Sequence, residues 1–83
     1  DHHLLMEHIA TFYTHLGALR LHRKAAARGD EAVMMPVPRR LSASCGTCVK
    51  FSGEVTPELA VEGLEAVYLR EGEGYREVFR AEE

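Results

Sequence analysis

The spacing of apolar side chains changes along the chain, and each change marks an element boundary. From His8 to Tyr13 the β-branched and aromatic residues Ile9, Thr11, Phe12 and Tyr13 predict a first strand. Thr14 then supplies a side-chain oxygen able to cap a helix, which is expected to run to about Arg28 and to stop at Gly29. Ala18, Leu19, His22, Ala25 and Ala26 recur at helical spacing and predict the apolar stripe. Arg20, Arg23, Lys24 and Arg28 fill the remaining surface of that helix. Glu31 to Val37 reads as a second strand, and Pro36 and Pro38 confine its end to a sheet edge or margin, because proline has no N–H to give to a ladder.

Arg39 to Gly46 has no period and reads as a loop. Thr47, Val49 and Phe51 alternate with Cys48, Lys50 and Ser52, the pattern of a half-buried third strand. Thr56-Pro57-Glu58 combines a cap, a first-turn proline and a carboxylate, and predicts a second helix through Leu59 to Leu64. Ala66 to Arg70 is expected to be a fourth strand, with a glycine turn at residues 71–74 leading to a fifth strand from Tyr75 to Arg80. The order β-α-β-β-α-β plus one strand predicts an α+β fold, a ferredoxin-like split sandwich with both helices on one face and an additional C-terminal hairpin strand. Residues 1–7 read as a peripheral terminus, with Met6 a candidate start, and residues 8–83 as a single domain.

Composition bounds what such a fold is able to do. The 83 residues amount to 9.3 kDa, enough for one small domain but not for a cavity between two. A chain this short has a thin core, so a homo-oligomer would be a natural supplement. Ten cationic against thirteen acidic side chains leave a net charge of −3, which argues against nucleic acid or an anionic membrane as partner. The cations are uneven: Arg20, Arg23, Lys24, Arg28, Arg39, Arg40 and Lys50 all fall in residues 1–52. No apolar run is long enough to span a bilayer and the first residues lack a signal-peptide pattern, so the default expectation is a cytoplasmic protein.

The chemistry concentrates in Cys45-Gly46-Thr47-Cys48, which holds both cysteines of the chain. One close pair cannot staple a fold, and in a reducing compartment two such thiols suggest reactivity or metal binding. Arg39, Arg40 and Lys50 lie near in sequence, Gly46 would let backbone amides approach a sulfur anion, and Ser42, Ser44 and Thr47 offer hydroxyl donors. The plain alternative is that Cys45 is a small buried filler and the arginines are solvated loop charges. If the third strand buries Val49 and Phe51, Cys48 points to the opposite face with Lys50. Whether it partners Cys45 or is simply a strand residue stays open.

A strand after the pair disfavours thioredoxin-like catalysis, which uses a helix N-terminus there. His2, His3, His8, His15 and His22 do not fall at zinc-finger spacing with the cysteines, so no metal site is expected from them. There is no Ser-His-Asp set, P-loop or paired-carboxylate arrangement to suggest an autonomous enzyme.

The run Met35-Pro36-Val37-Pro38-Arg39-Arg40-Leu41-Ser42-Ala43-Ser44-Cys45-Gly46, with Lys50-Phe51 on the strand that follows, resembles the core of the selenium/sulfur (Se/S) carrier protein-like family of small bacterial domains. The opening strand, Thr14 and the Ala18-Leu19 pair fit the same family, so the resemblance covers roughly residues 8–70. It implies a non-enzymatic carrier that needs no cofactor and holds sulfur or selenium on Cys45 as a persulfide-type adduct. Gly46, Arg39, Arg40, Ser44 and Cys48 would be in support, and protein donors and acceptors would be the partners. The chain departs from the family pattern at Cys48, where the strand is normally hydrophobic, and in its extra strand from Tyr75 to Arg80. A reading from a different class is a metal-binding Cys-x-x-Cys or structural interaction module that uses the open face of the sheet.

Overall fold

The computed structural model describes residues 7–81. The expectations about residues 1–6, including His2, His3 and Met6, lie outside the described residues. Among the described residues five strands and one helix follow in the order β1 (His8–Phe12), α1 (His15–Ala27), β2 (Ala32–Pro36), β3 (Thr47–Phe51), β4 (Leu64–Glu71) and β5 (Gly74–Arg80), with a 3-10 turn at Pro57–Leu59 between β3 and β4. The strands form one sheet in the spatial order β2-β3-β1-β4-β5, and all neighbours are antiparallel. β1 is central and all five of its residues are buried, whereas the proline-ended β2 lies at an edge, where its missing N–H costs no ladder bond.

The fold is therefore α+β, but not the two-helix ferredoxin-like sandwich that the element order suggests. The second helix is a single 3-10 turn, while the additional C-terminal hairpin strand is present as β5 at the sheet edge. The turn does start at Thr56 and Pro57, but the Thr56 hydroxyl caps no backbone N–H and instead accepts from Arg28. However, Ala60 has already left helical geometry, at φ −80° and ψ 67°, and Gly63 takes φ +97°. So short a segment gains too few hydrogen bonds to offset helix nucleation.

α1 begins and ends as its sequence predicts. Thr14, extended at φ −137° and ψ 154°, accepts the Gly17 N–H at 3.1 Å. Gly29, at φ +93°, closes the other end by donating to the Ala26 carbonyl at 3.0 Å. The buried stripe is rotated from the predicted one: Gly17, Ala18, Leu21 and Ala25 face the sheet, while Leu19 is only half-buried and Ala26 is exposed. Gly17 explains the rotation. A Cβ there would sit 3.1 Å from the backbone of Glu62 and Gly63, so the missing side chain lets α1 approach the start of β4 closely.

One face of the sheet packs on α1 through Ala10, Phe12, Val49, Phe51, Leu64 and Val67, which join Ala18, Leu21, Ala25 and Leu59 in a single core. Register places Thr11, Cys48 and Ala66 on the opposite face, and they are buried there as well. Between β1 and β4 the register slips. Thr11 opposes Ala66 but Phe12 opposes Leu64, leaving Glu65 as the unpaired residue of a β-bulge.

Candidate functional site

The ten residues between β2 and β3 form the loop that carries Cys45. Its base is closed by the Val37 N–H donating to the Gly46 carbonyl at 3.1 Å, and an inner turn forms where Leu41 donates to the Pro38 carbonyl at 3.0 Å. The loop reaches across to the middle of the sheet. Cys45 N–H donates to the Phe12 carbonyl of β1 at 3.0 Å, two residues out of the β1–β3 register, in which Phe12 would stand opposite Thr47. One residue earlier, Ser44 N–H donates to Glu65 Oε1 at 3.2 Å, and the Ser44 hydroxyl to Oε2 of the same carboxylate at 3.4 Å. Cys45 is thus a half-buried free thiol on a backbone pinned on both sides.

Cys48 differs on every count. It is fully buried on β3, opposite Thr11 and Met35, and its Sγ lies 3.7 Å from the Pro36 carbonyl. Burial pushes its pKa up to about 11, so at neutral pH it is a protonated, shielded thiol. Both cysteines are free, with no disulfide between them. The alternation along β3 did place Cys48 on the face away from α1, together with Lys50. It did not anticipate that this face would be buried at Cys48.

The groups expected around Cys45 are only partly assembled. Gly46 is exposed, and a Cβ there would meet nothing within 4 Å, so that side of the loop is open. The neighbouring amides of Ser44 and Cys45 do not form an anion nest, because their N–H groups are already donated to Glu65 and Phe12. Arg39 and Arg40 are exposed in the same loop, and among the described residues neither is joined to the thiol by a hydrogen bond. Lys50 is directed elsewhere, with its Nζ 3.8 Å from a Glu7 carboxylate oxygen.

Among the described residues the histidines do not converge on the cysteines either. His22 Nε2 is 3.1 Å from the Ala32 carbonyl, and His8 stacks on Phe51 with ring centroids 5.3 Å apart. Among the described residues no three His, Cys, Asp or Glu side chains come together as a group that could hold a metal ion.

Glu65 is the site residue that the sequence reading missed. A fourth strand from Ala66 to Arg70 leaves Glu65 outside it, and the adjacent apolar pair Ala66-Val67 is the one departure from alternation that hints at the bulge. The Phe12 carbonyl carried no sequence signal, since it depends on which strand lies beside β3.

Fold and loop together define a small α+β domain that displays one half-exposed thiol at the end of its central strands. The chain belongs to the family described as "Putative Se/S carrier protein-like", whose model matches residues 7–67. That stretch contains β1, α1, β2, the Cys45 loop and β3, and ends within β4, so β5 lies beyond it. No curated protein and no solved structure matches the chain. No helix among the described residues is long and apolar enough to cross a membrane.

Proposed function

We propose that this protein is a sulfur or selenium carrier in which Cys45 receives the atom from a donor protein and passes it to an acceptor. The observation that carries this reading is the contrast between the two thiols inside the family-matched segment. Cys45 is half-exposed on an anchored loop, while Cys48 is buried with a raised pKa. In the loading step the Cys45 thiol loses its proton to solvent, and the thiolate attacks the outer sulfur of a donor persulfide. The donor's S–S bond breaks, its cysteine leaves as a thiolate that takes up a proton, and a new S–S bond joins Cys45 Sγ to the transferred atom. There is no net oxidation. Unloading is the same exchange with an acceptor thiolate attacking the terminal atom, and a selenium atom would follow the same path.

Incubation with a persulfide donor followed by intact-mass and peptide mass spectrometry is the test. A one-sulfur adduct on Cys45, retained in Cys48→Ala and absent from Cys45→Ser, is the expected result. Loading that is indifferent to Cys45→Ser would overturn the reading.

A further inference from the structure

We propose that Glu65 is the positioning residue of the Cys45 loop. The inference rests on the carrier reading only for its biological purpose, since the geometry stands without it. The bulge turns a residue out of the β1–β4 ladder. Its main-chain carbonyl is satisfied by the Ala81 N–H at 3.0 Å, and its carboxylate takes both Ser44 donors. With Cys45 N–H held by Phe12, the two consecutive residues that set the direction of the thiol are tied to two different strands, β1 and β4.

These two ties are unequal. The Phe12 bond joins two backbone groups and depends on no particular side chain. The Ser44 pair exists because a carboxylate of the right length stands at residue 65, and it is the tie that a docking donor or acceptor could compete for. Glu65 therefore regulates how Cys45 is offered: with the carboxylate engaged, the loop holds the thiol half-buried, and with it displaced, the loop is free to extend toward a partner. The bonds to Glu65 are solvent-exposed, as a releasable tie requires.

The test uses the intact chain and needs no sulfur transfer. Amide exchange at Ser44 and Cys45, together with the rate of iodoacetamide addition to Cys45 read by peptide mass spectrometry, are compared for Glu65→Ala, Glu65→Asp and Glu65→Gln. Loss of a charge-assisted tie should raise both rates about tenfold in Glu65→Ala. Glu65→Asp should resemble Glu65→Ala, because the shorter side chain keeps the charge but not the reach. Glu65→Gln should return both rates toward the parent, since its amide oxygen can still accept from Ser44.

The idea is overturned if Glu65→Ala stays within about twofold of the parent, or if Glu65→Asp rescues while Glu65→Gln does not, which would make the effect one of charge alone. Thermal unfolding identifies any variant that has lost its fold; if Glu65→Ala has, Glu65→Asp decides, with raised rates supporting the tie and rates within about twofold of the parent overturning it. A parent protein that never forms the one-sulfur adduct would remove the carrier reading and leave this result standing.

Discussion

At the scale of single residues, burial assigns different chemistry to similar side chains. Cys45 and Cys48 are three positions apart, yet only Cys45 should react with iodoacetamide in native buffer near neutral pH. Cys48, its pKa pushed to about 11, should be modified only after denaturation, which a comparison of native and guanidinium-treated protein by mass spectrometry will show. His8 follows the same logic. It is 5% exposed, and its Nδ1 has no hydrogen-bond partner among the described residues. Burial holds its pKa below the usual 6.5, the Arg28 charge adds to the lowering, and a Gly53 backbone hydrogen bond and the Glu54 carboxylate only partly oppose them. A lowered folded-state pKa means that the neutral imidazole favours the fold above the unfolded value and that this stability is lost as pH falls through the folded value. Urea midpoints should therefore drop as the pH is lowered through and below the usual imidazole value of 6.5, and the drop should shrink in His8→Phe, which keeps the stack on Phe51 but cannot titrate. Little of this was readable beforehand. Alternation gave the side of the sheet for Cys48, but whether that side was covered depended on strands remote in sequence.

Elements are held by a few close approaches that only glycine permits. At Gly17, alanine would favour the helix by about 0.5–1 kcal/mol but would press a methyl group against the backbone of Glu62 and Gly63 at 3.1 Å. Backbone cannot swing aside as a side chain can, so Gly17→Ala is expected to lower stability by about 1 kcal/mol or more in chemical denaturation. Gly53 is tighter still, since a Cβ would run into the Asp30 carboxylate and the Arg28 guanidinium, which form a mostly buried ion pair at the end of α1. Arg28 also donates to Thr56 Oγ1 at 3.0 Å, so this cluster ties the end of α1 to the connection leading into β4. The capping of α1, the edge position of β2 and the β4–β5 hairpin were legible because each follows from local chemistry: a threonine oxygen, a proline without an N–H, a glycine at φ +58°. The second helix was misread for the same reason. Its start signals are local, but the segment leaves helical geometry at Ala60, and Gly63, at positive φ and close against Gly17, allows no continuation.

For the whole molecule, the family match and the folded unit do not end together. The match stops at Val67, yet β4 continues to Glu71 and pairs along its length with β5, where Val67 faces Phe79. Phe79 packs against the core, so a chain ending at Glu71 should expose an unpaired β4 edge and lose cooperative unfolding or aggregate, as circular dichroism and sedimentation would reveal. The site was legible only in outline: the sequence pointed to Cys45, but the company it keeps is set by strand order. That order also governs when the thiol acquires its setting during synthesis. β3 lies between β1 and β2, and β1 must also receive β4, with Thr11 bonded to a carbonyl 55 residues away. Such distant pairings close late, because the entropy of long loops is lost before the contacts reward it. A nascent or partly folded chain therefore carries the Cys45 thiol without the Phe12 and Glu65 ties. The anchored presentation of that thiol is thus a property of the completed fold.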